Sequence, residues 1–283
     1  MFYKMNPKFK SYIRRFNSDK KNGYVYDMHV HTKYSRCSSM ELEVLISLYK
    51  KLGFTGVAIT DHGTIQGALK AKEYVEKNNI DFEIIIGAEL STQYGHILAY
   101  DIDPTLVNEV PKYHHRDIDD VVDFFKSKGC VVGIAHPYTF RVRKLNKIRD
   151  DNFIKKLDFV ETFNRRNMID YCNKLALKKA IKCNMAMTSG GDVHFYPEIG
   201  YAYTFSPIKD ILKAIKEKKT FPNGFMKRDL ISFARSGFTK RIPEVKRLNK
   251  EVKPEKKLEI KKSKMIKELK KNLNTEEKIK AEN

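Results

Sequence analysis

The chain has 283 residues, 41% of them hydrophobic, and is long enough to bury one substantial core without a second domain. None of its apolar runs approaches the roughly eighteen residues of a membrane span, and the basic N-terminus lacks the apolar segment of a secretion signal. The four cysteines form no C-x-x-C pair, which is typical of a reducing compartment. We therefore expect a soluble cytoplasmic protein that does not associate with membranes.

Positive charge is concentrated at the two ends of the chain, and the formal net charge is +20. Residues 1–25 carry seven Lys and Arg against one Asp, and residues 226–283 carry nineteen against nine acidic residues. This distribution predicts a basic N-terminal extension at 1–23, a globular domain at 24–225, and a lysine-rich tail at 226–283 that is helical or disordered. The basic ends either bind nucleic acid or are simply solvated, and both interpretations stay open.

Short apolar runs alternate with helical patterns along the globular part, which is typical of β/α units with parallel strands. Strands are predicted at 24–30, 56–60, 82–90, 96–100, 130–135, 157–163 and 185–188. Helices are predicted at 40–52, 64–76, 118–127, 168–183 and 208–218. No glycine-rich dinucleotide fingerprint follows the first strand, so the pattern favours a (β/α) barrel over a Rossmann sheet.

Six of the eight histidines lie at one end of a predicted strand or within a few residues after it, and acidic residues lie beside them. The histidines are His29, His31, His62, His96, His136 and His194, and the acids are Asp27, Asp61, Glu89 and Asp192. In a parallel barrel the carboxyl ends of the strands form one rim, where catalytic groups collect. Imidazole and carboxylate together suit zinc, manganese or iron. A single such histidine is more often structural, but the whole set predicts a metal centre.

The motifs that carry this pattern occur in a fixed order along the chain. They are Asp27-Met-His29-Val-His31, Thr60-Asp61-His62-Gly63, Gly87-Ala88-Glu89, Gly95-His96, Ala135-His136-Pro137 and Gly191-Asp192-Val193-His194, with Phe159–Asn164 between the last two. In these motifs the chain resembles the PHP (polymerase and histidinol phosphatase) superfamily of metal-dependent phosphoesterases. The resemblance implies an α/β fold, a distorted (β/α)7 barrel with the basic extensions at its ends, and up to three bound metals.

Carried over by position, the resemblance implies three groups of metal ligands. His29, His31, Glu89 and Asp192 hold one metal, Glu89 bridges to a second held by His96 and His136, and His62 and His194 serve a third. The family usually supplies another His or Asp shortly after the His-x-His pair, and Arg36 stands at about that place here. We therefore expect two or three divalent ions (Mn, Zn or Fe). Cys37, beside Arg36, is either a soft ligand or an ordinary cysteine.

The expected reaction is hydrolysis of a phosphomonoester, of the nucleotide or nucleoside bisphosphate type, by a metal-bound hydroxide. Asp61 either orients His62 and handles a proton, or caps the following helix. His194 protonates the leaving oxygen if the third metal is absent. Arg36 is expected to bind a phosphate of the substrate. Arg165 and Arg166 either do the same or are solvated residues at the start of a helix.

Two other functions stay open at this point. An exonuclease acting on short RNA or DNA would make use of the basic ends. A non-catalytic RNA-binding barrel subunit would be expected to have lost its metal ligands, whereas nearly all of them are present in this chain.

Overall fold

Residues 6–139 and 145–226 are described by the computed structural model, so the tail predicted at 226–283 lies outside the described residues except for Met226. The helices are α1 (Pro7–Asn22), α2 (Leu42–Leu52), α3 (Gln66–Lys77), α4 (Ile118–Ser127), α5 (Asn146–Arg149), α6 (Asp151–Lys156), α7 (Asp170–Lys182) and α8 (Ile211–Lys216). In these ranges, no helix combines the length and apolar content that crossing a bilayer requires.

The nine strands of the described residues form one sheet in the order β7-β6-β5-β4-β3-β2-β1-β8-β9. They are β1 (Tyr24–Val30), β2 (Gly56–Ile59), β3 (Glu83–Thr92), β4 (Gly95–Tyr100), β5 (Val131–Ala135), β6 (Phe159–Asn164), β7 (Ala186–Gly190), β8 (Ala202–Ser206) and β9 (Phe221–Gly224). Strands β1 to β3 pair in parallel, and so do β5 to β7. The parallel β/α pattern is therefore confirmed for six strands.

The sheet curls until the chain that follows β7 reaches the end of β1. Val30 and Val193 form an isolated parallel bridge, and the amide of His31 donates to the carbonyl of Val193 at 2.9 Å. The amide of Gly191 also donates to Asp27 Oδ1 at 2.8 Å. The prediction of a distorted, barrel-shaped α/β fold is confirmed, with the sheet nearly closed.

Strand β4 departs from the expected parallel arrangement. It runs antiparallel to both β3 and β5, and only Gln93 and Tyr94 connect it to β3. A two-residue connection can form a hairpin but is far too short for the crossover that parallel strands need. His96 therefore lies near the beginning of its strand instead of at its end, and the reversed direction still brings it to the rim with the other histidines.

The barrel interior below the rim is filled by apolar and aromatic side chains. Tyr100 stacks on Phe159 with ring centroids 5.0 Å apart, and its hydroxyl donates to the carbonyl of Met28 at 2.7 Å. Because the buried hydroxyl has a partner, the tyrosine fills the core without an unsatisfied polar atom. This packing supports the strand ends from beneath.

Helix α1, within the predicted N-terminal extension, packs on the barrel. Its Tyr12, Phe16 and Asp19 are buried, while its basic residues include the exposed Arg14. The Tyr12 hydroxyl donates to the carbonyl of Gly200 at 2.8 Å, and the Tyr203 hydroxyl donates to Asp19 Oδ2 at 2.8 Å. The positive charge at this end is therefore carried on the outer face of a docked helix.

We predict that the Phe16→Ala substitution lowers the free energy of unfolding by about 3 kcal/mol, because it removes a buried aromatic ring and leaves a cavity. The Phe16 ring lies 5.1 Å from that of Phe54 and 5.0 Å from that of Tyr203, measured between centroids. Urea unfolding followed by circular dichroism measures the change. Arg14→Ala, on the exposed face of the same helix, should change stability by less than about 0.5 kcal/mol. Equal effects of the two variants would mean that α1 does not contribute to the core.

Candidate metal centre

The buried carboxylate of Glu89 lies at the centre of the predicted ligand set. It projects from β3, is 1% exposed, and has five imidazole nitrogens within ion-pair distance. Its Oε2 lies 3.4 Å from His29, 3.2 Å from His31 and 3.0 Å from His62, and its Oε1 lies 2.6 Å from His96 and 3.1 Å from His136. The structure therefore brings together side chains from five separate places along the chain.

The first group contains His29, His31, Glu89 and Asp192. The two Nε2 atoms of the histidines are 3.2 Å apart, and Asp192 Oδ1 lies 3.4 Å from His31 Nε2 and 3.9 Å from His29 Nε2. Donors on a tetrahedral ion with bonds of about 2.0–2.1 Å stand roughly 3.3 Å apart. Most of these donor separations have that size, so the side chains fit around one cation.

Hydrogen bonds fix the protonation of the two imidazoles in this group. His29 Nδ1 lies 3.0 Å from Glu161 Oε1, and His31 Nδ1 lies 3.3 Å from Ser35 Oγ, whose own proton is donated to Asp61. A carboxylate only accepts, and the Ser35 oxygen is left to accept, so both Nδ1 atoms carry the proton. In the neutral tautomers the two Nε2 lone pairs then face each other at 3.2 Å, a contact that either a proton or a metal cation between them relieves.

The second group uses the other oxygen of the same carboxylate. His96 Nδ1 and His136 Nε2 both approach Glu89 Oε1, while Oε2 faces the first group. Glu89 therefore stands between the two groups, as a bridging ligand would. The backbone φ angle is 28° at His136 and 49° at Asp192, in a region that residues other than glycine seldom adopt. Strain of this kind is typical of functional positions.

The third group consists of His31, His62, His194 and Cys37, whose ligand atoms all lie within 4.8 Å of one another. His194 Nδ1 lies 2.8 Å from the carbonyl oxygen of Asp192. Because that oxygen only accepts, the Nε2 atom of His194 keeps its lone pair. Arg36, predicted for this region, is exposed, and its role in phosphate binding stays a prediction.

The electrostatics of the centre suit cation binding. Burial acts to raise the pKa of Glu89, but His96, His62 and His29 outweigh it and hold that pKa well below the usual range. Burial also lowers the pKa of His62 to about 3 and that of His194 well below its ordinary value. At neutral pH Glu89 is therefore anionic and His62 and His194 are neutral, the forms that bind metals. Burial lowers the pKa values of His29, His31 and His136, but the neighbouring carboxylates outweigh it and raise them, so these three rings would release a proton on binding a cation.

Asp61 accepts hydrogen bonds from the loop after β1. Thr32 donates its amide at 2.7 Å and its hydroxyl at 2.6 Å, and Ser35 Oγ donates at 2.7 Å. Ser35 Oγ in turn accepts from the amide of His62 at 2.9 Å. Asp61 therefore positions His31 and His62 through Ser35. Helix α3 begins at Gln66 after Ile65, so the structure does not place Asp61 at its cap.

Glu161 and Asp27 were absent from the predicted ligands, yet both hold the centre in place. Glu161 Oε2 accepts the amide of His136 at 2.7 Å, while Oε1 faces His29. Asp27 accepts the hydroxyl of Tyr49 at 2.6 Å and amides from both β1 and the segment after β7. Both lie in motifs quoted above. The sequence signal that could have found Glu161 is an acid in the middle of a predicted strand, between Phe159-Val160 and Phe163.

A glycine ends β7 because the backbone there passes close to two side chains of the centre. A Cβ atom at Gly190 would lie 2.2 Å from His29 Cβ and 2.8 Å from Glu161 Oε1. Distances that short would force His29 out of position. The Gly-Gly of the last motif therefore allows the segment after β7 to carry Asp192 and His194 to the rim.

The two neighbouring arginines after β6 have different surroundings. Arg165 is buried, pairs with Glu198 at 3.2 Å, and lies over the ring of Tyr201. Arg166 is half-buried at the centre itself, with Nη1 3.5 Å from the carbonyl of Asp192. Of the two, Arg166 is the one that stands where a bound anion could reach it.

Comparison with known proteins agrees with this geometry. Residues 27–221 match the PHP domain family. The chain belongs to the PHP domain family. The prediction of this family of metal-dependent hydrolases is therefore confirmed, and the match extends from the middle of β1 to the first residue of β9.

Proteins similar to this PHP domain in sequence or in fold are known from other organisms. An uncharacterised protein of Methanocaldococcus jannaschii is 31% identical over 166 residues, which cover 55% of this chain and 91% of that protein. A two-domain protein from Bacteroides vulgatus, containing a predicted PHP-like metal-dependent phosphoesterase, has a similar fold at 15% identity and a TM-score of 0.56, covering 72% of this chain and 66% of that one. PsfC from Pseudomonas syringae is similar at 12% identity and a TM-score of 0.57, covering 77% and 98%.

We predict that Glu161→Gln lowers the affinity of the PHP domain for its metals about 10–100-fold. The amide cannot accept from His29, His136 and Asn164 at once, because one of its two ends now donates. Competition with a chromogenic zinc chelator measures the affinity. Glu41→Gln, at an exposed ion pair with Lys33, is the matched control and should not change it. An unchanged affinity in Glu161→Gln would contradict a role in holding the imidazoles.

Proposed function

We propose that this PHP domain hydrolyses a phosphomonoester of the nucleotide or nucleoside bisphosphate type, using two or three divalent ions (Mn, Zn or Fe) held at the centre. The observation that carries the proposal is the buried Glu89 carboxylate, with five imidazole nitrogens at 2.6 to 3.4 Å. Bound at such a centre, divalent cations activate water and neutralise the charge that spreads over a phosphoryl group.

The residues proposed as ligands are His29, His31, His62, Glu89, His96, His136, Asp192 and His194. Neighbouring acids and hydroxyls hold these side chains in position. Glu161 directly, and Asp61 through Ser35, determine which nitrogen of His29 and His31 is free to bind a cation. This arrangement supports catalysis because fixed dipoles and donors need no rearrangement when the reaction occurs. We propose a positioning role for Asp61, in preference to direct proton transfer.

His194 is better suited to bind a cation than to protonate the leaving oxygen. Burial first, and then the nearby His31, hold the pKa of His194 well below its ordinary value, so the ring is neutral at neutral pH. Its one proton is donated to the carbonyl of Asp192. A neutral imidazole arranged in this way presents a lone pair and has no proton to give.

Two arginines are the proposed anchors for the substrate beyond the cations. Arg166 reaches the centre from the segment after β6, and Arg36 lies in the loop after β1, directly beside Cys37. Guanidinium groups bind phosphate through paired hydrogen bonds. A substrate with two phosphates would place one at the cations and leave the other for an arginine, which is why we favour the bisphosphate class.

A substrate screen with Mn, Zn and Fe tests the proposal, using p-nitrophenyl phosphate, nucleoside bisphosphates and labelled oligonucleotides. We expect Glu89→Gln to lower turnover at least about 10²–10³-fold on every substrate that the protein accepts, because a neutral amide cannot bridge two cations. Glu73→Gln, at an exposed ion pair with Lys70, should retain full activity. Near-normal turnover in Glu89→Gln would contradict the proposal, and cleavage of oligonucleotides alone would favour the exonuclease.

We predict that Arg166→Ala lowers kcat/KM about 10–100-fold, since a hydrogen bond to a charged group contributes about 1.5–3 kcal/mol. The loss should be larger for a nucleoside bisphosphate than for p-nitrophenyl phosphate. Steady-state kinetics measures both constants. Lys174→Ala, at an exposed position of α7, serves as the control and should leave the kinetics unchanged. Arg166→Lys should recover only part of the activity lost in Arg166→Ala. Equal kinetics in Arg166→Ala and the parent protein would rule out this anchor.

A further inference from the structure

Cys37 lies beside three imidazoles of the centre. Its sulfur and one nitrogen each from His31, His62 and His194 lie within 4.8 Å of one another. The other three cysteines, Cys130, Cys172 and Cys183, are buried. Cys130 approaches the carbonyl of Asp101 at 3.7 Å, and Cys183 approaches Asp151 at 3.6 Å. Cys37 is the half-buried one, so an ion that reaches the centre can also reach its sulfur.

The loop that carries Cys37 is fastened on both sides of it. Ser38 Oγ lies 3.0 Å from the carbonyl oxygen of His194 and 3.3 Å from that of His31. On the other side, Ser35 Oγ is bonded to Asp61 and to the amide of His62. These contacts join the loop to the backbone of the same three histidines, so the position of the sulfur is fixed by the structure around it.

Two of the imidazoles near Cys37 present lone pairs. His194 donates its Nδ1 proton to the carbonyl of Asp192, which leaves Nε2 as a lone pair. His62 Nδ1 is buried without a hydrogen bond of normal geometry, although Glu89 Oε2 is only 3.0 Å away. A buried imidazole nitrogen that lies 3.0 Å from a carboxylate oxygen without a hydrogen bond is expected when a cation lies between the two atoms. His62 also belongs to the group of possible ligands that includes Cys37 and His194.

We propose that Cys37 binds a cation as a thiolate, together with His62 and His194, and that this position therefore selects zinc. Thiolate is a soft ligand that favours zinc over manganese, whereas sets of imidazole and carboxylate accept several first-row ions. A coordinating thiol loses its proton to the metal, so the neutral thiol of the free chain is no obstacle. The inference rests on the proposed function, because it concerns one position of the same metal centre.

Cobalt substitution tests the thiolate directly, without a measurement of activity. Cobalt bound to sulfur gives a thiolate-to-metal charge-transfer band in the near ultraviolet, whereas cobalt bound only to nitrogen and oxygen gives the weaker visible bands alone. We expect the parent protein and Cys130→Ser to show the band, and Cys37→Ser to lose it while keeping its visible bands. Circular dichroism establishes that the Cys37→Ser protein is folded.

The possible outcomes separate this inference from the proposed function. Visible cobalt bands without a charge-transfer band in the parent protein would overturn the role of Cys37 and leave the metal centre standing. If the folded parent protein bound no cobalt at all, both proposals would fall. A band that survives in Cys37→Ser would assign the sulfur to another cysteine and would also overturn the inference.

The selectivity is tested by dialysing zinc-loaded protein against excess manganese and measuring both metals by elemental analysis. The parent protein should retain one more zinc ion per chain than Cys37→Asp, whose hard oxygen ligand should accept manganese at the same position. Equal zinc contents in the two proteins would overturn the assignment of zinc to this position.

Discussion

The arrangement of the centre depends on one buried anion. Glu89 is almost fully removed from water, and an isolated carboxylate there would be protonated, because burial disfavours the charged form. The surrounding imidazoles reverse that preference and keep the pKa of Glu89 well below its usual range. Without the positive charge of the imidazoles or of a bound cation, the Glu89 carboxylate would be a buried anion with no compensating charge. The histidines and the acid are therefore stable in these positions only as a set.

The fold supplies this set by bringing the ends of parallel strands and the beginning of the antiparallel strand β4 to the same rim. Glu89 and His96 lie on the two arms of the β3–β4 hairpin, so their contact is local, whereas His29, His136 and Asp192 come from distant strands. The hairpin therefore fixes one edge of the centre, and the parallel strands bring the remaining ligands to it. Below them, the stacked rings of Tyr100 and Phe159 keep the strand ends at a fixed spacing.

The parts of the structure that follow from a repeating pattern could be predicted from the sequence. Helix α4 occupies the predicted residues Ile118–Ser127, because its apolar positions follow the helical period and Asp117 caps it. The motif histidines were also placed at the rim correctly. The direction of β4 was not predicted, since an apolar run looks the same in a parallel and an antiparallel strand. Strands β8 and β9 were not predicted, and β9 contains Pro222 and Gly224, residues that are depleted in strands.

The finer details of the centre could not be predicted because they depend on irregular backbone. The sequence placed Arg36 near the third group, and the structure places its neighbour Cys37 against the histidines. Likewise, Arg165 and Arg166 look equivalent in the sequence, but one is buried against Glu198 and the other reaches the centre. In a loop without a regular period, adjacent residues cannot be assigned to a face from their spacing. Ser35 and Glu161 each act through several hydrogen bonds, and the spacing of residues along the chain does not show which partners they contact.

The junction between β1 and the chain after β7 lies at the metal centre, so metal binding there would affect how firmly the barrel is closed. The described strands form no continuous ladder there, and the two sides meet through the bridge between Val30 and Val193 and a few hydrogen bonds. His29 and His31 belong to one side, and Asp192 and His194 to the other. An ion coordinated by residues of both sides would connect them across this junction. A bound ion would then make opening of the barrel at this junction less favourable. Metal binding would in this way raise the free energy of unfolding of the whole domain.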